Sequence, residues 1–285
     1  MKATILIPAY NEANVITRTL RDLTRNMNTE DFQIIVIANA CVDDTAQLAR
    51  MAYPKALIIE TPKGGKTNAM NLGFAKAQSP VIVCLDADLS VSAAHVDALI
   101  TPIHAGQAQG ACGRMRVDLT GCSRAVRSFY KIWQLNPYFE RGKFGGLWAL
   151  GPTATARIFP LPKVIADDEY VSRSLGPSER VYVPSCTFDV RAPRTMASLI
   201  KIRRRIRRGT RQLESMGIST TSRAGSASIR QIASQVSTRP ALWPAFVLYV
   251  SISLYIRLLV SIEPPQAIDL WERDTSSRPK SPTDP

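Results

Sequence analysis

The chain has 285 residues, 45% of them hydrophobic and 21% charged, which supplies enough apolar side chain for one large domain with an appendage or for two small domains. Its formal charge of +13 is unevenly placed: nine lysines and arginines and no acid stand between Arg191 and Arg211, a block that suits a nucleic-acid patch, an anionic-lipid patch, a phosphate-handling element or a solvated helix face. Five scattered cysteines, no CxxC pair and only two histidines argue against a zinc site and fit a reducing compartment.

In chain order, Thr4 to Ile7 is predicted as a strand, Ala13 to Thr24 as a helix, Gln33 to Ala38 as a strand and Asp43 to Met51 as a helix. Ala56 to Glu60, Thr67 to Ala77 and Val81 to Leu85 continue the pattern as strand, helix and strand. This alternation predicts an α/β fold, a mostly parallel sheet with helices on both faces, and places ligands beyond the carboxyl ends of the strands. The opening residues hold too short an apolar run for a signal peptide, so the catalytic part is expected in the cytosol.

The second half is less regular. Ser123 to Asn136 is predicted as an amphipathic helix and Gly142 to Gly151 as a Gly-rich stretch; Val181 to Val183 and Thr187 to Val190 are predicted as strands and Arg194 to Leu213 as a basic helix. The expected organisation is a catalytic domain over 1–213, a linker or mobile loop over 214–240, an apolar segment over 241–262 and a polar tail over 263–285. In Ala241 to Ile262 seventeen of 22 residues are apolar and only Arg257 is charged, long enough for a membrane span or a re-entrant segment and equally for a buried helix.

Four segments carry candidate chemistry. Val81 to Leu85 ends in Asp86-Ala87-Asp88, two close carboxylates of the kind that a hard divalent ion such as Mg2+ or Mn2+ offsets, although Asp88 could equally cap a helix. Ile7 to Asn14 runs from a strand into a loop offering Asn11 and Glu12. Gly64-Gly65-Lys66 precedes a helix, an arrangement that favours phosphate, yet GxxxxGK(S/T) is incomplete and no GxGxxG follows the first strand. Asp167-Asp168-Glu169 reads alone as an acidic helix start and beside the others as a candidate general base.

These elements, in this order, resemble the family 2-type glycosyltransferases with the GT-A fold, over about Ala3 to Gly209. The resemblance implies an inverting, metal-dependent transfer from a UDP- or GDP-linked sugar to a saccharide or lipid-linked acceptor. It implies that Pro8, Ala9, Tyr10 and Glu12 contact the donor nucleotide, with Asn39 standing where the family has an acidic pair. Lys66 and Asp86 would also face the donor, Asp88 would hold the metal, and Asp168 would be the base, with Asp167 beside the acceptor. Arg203 and Arg205 align with a basic QRxRW segment that loses its Gln and Trp here, and Trp148 falls where the family shapes the acceptor pocket, either stacking on a sugar or lying in the core.

With the basic run and the apolar tail, the resemblance places the chain at the cytoplasmic face of the cell membrane, against anionic lipid and without nucleic acid. Two rivals are set beside it. A nucleotidyltransferase needs a Gly-rich loop that Pro8 to Glu12 lacks, and a membrane- or nucleic-acid-binding protein with a degenerate GT-A fold is to be told apart by its failure to act on any sugar nucleotide.

Overall fold

The computed structural model describes residues 1–218 and 224–263; most of the expected polar tail and residues 219–223 of the expected linker lie outside them. The described chain forms two compact units, one from Met1–Arg116 and Gly142–Val190, the other from Val117–Arg141 and the described residues from Arg191 onward.

The first unit is built on strands β1 (Ala3–Ala9), β2 (Phe32–Asn39), β3 (Leu57–Thr61) and β4 (Ile82–Leu85), separated by helices α1 (Ile16–Thr24), α2 (Thr45–Ala52) and α3 (Lys66–Phe74). Every residue of β1 is buried, as expected of a central strand covered on both faces. Its side chains alternate between two apolar layers. Ile5 and Ile7 lie with Leu20 of α1 and with Leu99 of α4 (Ala93–His104). Leu6 lies with Met70 of α3, with Ile158 of α7 (Pro152–Ile158) and with Val171 of α8 (Asp167–Ser174).

The strand order is β3-β2-β1-β4-β6-β5-β7, where β5 is Gly110–Asp118, β6 Leu147–Leu150 and β7 Arg180–Arg191. The first four strands are parallel, and β6 runs antiparallel to both of its neighbours. Because β6 is reversed, its first residue, Leu147, lies opposite the last residue of β4, Leu85. The Gly-rich turn before β6 is thereby delivered to the edge where β1, β2 and β4 end.

Two sequence expectations change here. Val181 to Val190 is one strand rather than two, because β7 is the outermost strand of the sheet, where exposed Pro184 costs no ladder hydrogen bond. Helix α4 and strand β5 went unanticipated; β5 reads GACGRMRVD, poor in branched and aromatic residues, and owes its conformation to its neighbours.

The second unit is helical: α5 (Arg124–Trp133), α6 (Tyr138–Arg141), α9 (Met196–Ser215), α10 (Ala224–Ser237) and α11 (Trp243–Ile262). The stretch 214–240, expected as a linker or mobile loop, holds α10, whose Ile232 and Val236 pack with Ile132 and Leu242 in a small core. Serine-rich composition concealed this two-residue apolar stripe at helical spacing.

Gly113 of β5 lies close against a sheet neighbour: a methyl group there would lie 2.6 Å from the Cys186 carbonyl oxygen of β7. Backbone cannot yield as a flexible side chain does, so Gly113→Ala should lower stability by about 1–3 kcal/mol, measured by urea unfolding.

Candidate active site

The site forms where the loops after β1, β2 and β4 meet the turn before β6 and the start of α8. In the first two loops, non-glycine residues adopt left-handed backbone: Asn11 at φ 52° and Ala40 at φ 51°. Such conformations cost free energy and persist where the surroundings fix them. The fixing contacts are local. Val42 N–H donates to Asn11 Oδ1 at 2.8 Å, and Glu12 N–H donates to Thr45 Oγ1 at 2.7 Å.

Asn39, expected at the donor, is buried and acts as a brace. Its Nδ2 donates to the Ala9 carbonyl at 2.7 Å, and its Oδ1 accepts from Gly65 N–H at 3.0 Å. It joins the end of β1 to the Gly64-Gly65 turn. Gly65 has φ 125°, a conformation reserved for glycine, and Lys66 follows at the first turn of α3.

Lys66 organises the centre. Its Nζ lies 2.8 Å from Asp86 Oδ1 and 2.8 Å from Asp167 Oδ2. Burial acts to lower the Lys66 pKa, but Asp167 and Asp86 together hold it well above the ordinary lysine value. Burial pushes Asp86 up to about 6; Lys66 opposes this and Asp88 and Asp167 add to it. Asp167 is raised for the same reason, burial, with Lys66 working against the rise and Asp168 reinforcing it. This corrects the expectation that Asp167 faces an acceptor: it is 4% exposed, and its carboxylate is engaged by Lys66.

The Asp86–Asp88 turn is held from α1 and from the turn before β6. Thr19 Oγ1 donates to the Ala87 carbonyl at 2.8 Å, Arg18 Nη2 donates to the Asp88 carbonyl at 3.2 Å, and Asp86 N–H donates to the Gly146 carbonyl at 2.8 Å. Asp88 is exposed. Adjacent glycines separate the two acidic segments: a methyl group on Gly145 would lie 3.3 Å from Asp168 Oδ2, and one on Gly146 3.5 Å from Asp86 Oδ2. Asp168 is half-buried, its Oδ1 accepting from Glu169 N–H at 2.8 Å. Asp86, Lys66, Asp167 and Asp168 thus converge, although 102 positions separate Lys66 from Asp168.

Of the other expected residues, Pro8, Ala9 and Glu12 are buried at the end of β1 and just beyond it, while Tyr10 is exposed there. Trp148 is a correction: it is fully buried in β6 among Leu6, Cys84 and Leu150, where no sugar can stack on it. Arg203, expected with Arg205 to add positive charge at the donor, belongs to the second unit, where its guanidinium lies 4.5 Å from the Trp133 ring centroid and 4.9 Å from that of Phe129. Arg205 is on α9 of the same unit. Sequence reading missed Arg18, Thr19 and the Gly145-Gly146 pair; only the paired glycines were visible as a signal.

Comparison with known proteins assigns the class. Residues 4–160 match the family model described as glycosyl transferase family 2, more than half the chain, and the chain belongs to that family. It is similar to the probable glycosyltransferase YdaM of Bacillus subtilis, 31% identical over 163 residues that cover 54% of this chain and 38% of that protein. It is also similar to a dolichol-phosphate mannosyltransferase of Pyrococcus furiosus, 29% identical over 109 residues that cover 37% of this chain and 31% of that one. The matched stretch thus spans less than two-fifths of either relative. Among solved structures, mannosyltransferase PcManGT of Pyrobaculum calidifontis, in complex with GDP-Man and Mn2+, superposes with a TM-score of 0.59 at 19% identity, covering 94% of this chain and 78% of that one. That likeness establishes the GT-A fold.

If Lys66 is the counter-ion that lets two carboxylates lie buried, Lys66→Met should cost about 3 kcal/mol of stability. Without the ammonium both carboxylates rise further in pKa and bind protons more tightly than in the unfolded chain. The deficit should therefore be largest at about pH 8 and shrink as pH falls through about 6, read from urea unfolding at the two ends of that range.

Proposed function

We propose that the chain moves a sugar from a nucleotide-diphosphate donor to a hydroxyl acceptor, with inversion at the anomeric carbon. The observation that carries this reading is the convergence of Asp86, Lys66 and Asp168 at the edge where the parallel strands end. In the reaction, Asp168 accepts the proton of the acceptor hydroxyl while that oxygen attacks the anomeric carbon. The bond from that carbon to the phosphate oxygen breaks, and the nucleoside diphosphate leaves with the electron pair. Tyr10 and Glu12 in the loop after β1 bound the nucleotide side, and Lys66 supplies fixed positive charge next to Asp86. Arg205 is retained as a second source of positive charge toward the donor.

The residues fit a hard divalent ion. Asp86 and Asp88 offer only oxygen, and Asp88 is among the causes that raise Asp86 to about 6, a crowding of carboxylates that a cation relieves. Among the described residues no cluster of three such side chains occurs, so diphosphate oxygens and water would complete the coordination. Asp88 is the principal protein ligand in this reading. Mg2+ or Mn2+, when bound, would neutralise charge on the leaving diphosphate.

Support for the donor class comes from PcManGT, described with GDP-Man and Mn2+, and for a lipid-linked acceptor from the dolichol-phosphate mannosyltransferase among the relatives. The apolar helix of the second unit supports a location at a membrane, proposed here as its cytoplasmic face.

Asp168→Asn should lower turnover by about 10²–10⁴-fold with donor affinity unchanged. A near-normal rate in that variant would remove Asp168 from the role of base. Asp88→Ala should abolish Mn2+-dependent binding of GDP- and UDP-sugars in calorimetry, and binding to the unaltered chain should weaken as pH falls through about 6, where Asp86 takes up a proton.

A further inference from the structure

The net charge of the protein sits almost wholly on the second unit. The described residues of the first unit hold sixteen lysines and arginines against fifteen acids, those of the second sixteen against four. In this unit lies the apolar helix α11, and its two faces differ. Ile252, Ile256 and Val260 are buried on one side, where α11 packs on α5 and α9. Trp243, Val247, Leu254, Tyr255, Leu258 and Ile262 are each at least half exposed. At 3.6 residues per turn these six fall within a sector of about 120° on the opposite side, a stripe roughly 30 Å long in which exposed Ser251 also stands. Exposed Arg257 borders the stripe, and Trp243, its Nε1 tied to the Val236 carbonyl at 3.2 Å, stands at one end of it.

Length and hydropathy alone would let 240–262 cross a bilayer. The packing around it argues otherwise. Its C-terminal end is fixed to α9 by charge: Glu263 accepts from Arg204 Nη2 at 2.7 Å and from Arg208 Nε at 2.6 Å, and Arg211 Nη1 donates to the Val260 carbonyl at 2.6 Å. On its other flank, α5 carries exposed Arg124, Arg127 and Lys131. A spanning α11 would draw both charged neighbours into hydrocarbon, where ionised side chains are costly.

We infer that α11 lies in the plane of a membrane surface, its buried face held by α5 and α9 and its stripe of Trp243, Val247, Leu254, Tyr255, Leu258 and Ile262 inserted among the headgroups of an anionic bilayer. The apolar stripe supplies insertion, and the arginine excess of the same unit selects anionic over zwitterionic lipid. The inference rests on the proposed membrane location and is independent of the transfer chemistry, because vesicle binding and turnover are read separately.

The test is flotation of the full chain with vesicles of phosphatidylcholine, alone and mixed with phosphatidylglycerol. Binding should require the anionic lipid, weaken as salt rises, and fall at least about tenfold in a Leu254→Glu/Leu258→Glu variant whose melting temperature is unchanged. In the unaltered chain, brominated lipid should quench a fluorescence component that Trp243→Phe removes. A chain that stays with the membrane through alkaline carbonate extraction would overturn the inference in favour of a span. Equal flotation of the variant, failure to bind either vesicle, or a dimer that the variant dissociates would also overturn it, the last by showing that a second copy covers the stripe.

Discussion

The position of one ammonium group constrains the rest of the first unit. Lys66 is largely withdrawn from water, and a buried lysine keeps its charge only beside anions; Asp167, more deeply buried, keeps its own only beside a cation. Asp86 completes the set from the end of β4. Each member makes the others tolerable, so the start of α3, the end of β4 and the start of α8 must meet at one point. Glycine at 145 and 146 makes that meeting possible, because side chains there would crowd Asp168 and, through Leu89, the Asp86 turn. The reversal of β6 is what places those glycines there.

Around this charged centre, short hydrogen bonds replace the rigidity that loops lack. Asn11 and Ala40 hold left-handed backbone without being glycine, and the chain fixes their loops through Asn39 at the end of β2, Asp43 in the loop after it and Thr45 at the start of α2. Asn71 does the same farther off, pairing with both the N–H and the carbonyl of Leu161 and so tying α3 to the segment that leads into α8. A surface assembled from loops gains the precision of its sheet in this way.

How much of this is written locally in the sequence depends on where the cause lies. The parallel half is legible, because strands such as β1 must be apolar on both faces and their helices amphipathic, and those are local periodicities. The two acidic segments and the lysine are legible as chemistry. Their pairing is not: nothing local distinguishes Asp167, which turns inward to Lys66, from Asp168, which stays near Gly145. Trp148 shows the same limit, since a tryptophan within LWAL looks the same whether it faces a cleft or a core; only its register opposite Cys84 decides. The bracing by Asn39 is equally invisible, because an amide that ties two backbones together is indistinguishable in sequence from one that binds a ligand.

The basic helix illustrates a further point. A run of arginines looks like an electrostatic surface, yet much of α9's charge is used inward. Arg203 lies over three aromatic rings of α5, a placement open to a weakly hydrated, planar guanidinium and far less to an ammonium. Arg204 and Arg208 share Glu263, whose carboxyl Arg208 holds below its ordinary pKa. These compensations let one helix carry seven lysines and arginines while packing beside the apolar α11. Two uses of basic charge are thus distinct in the fold: Lys66 of the first unit holds two buried carboxylates together, while arginines of the second unit hold its own helices together.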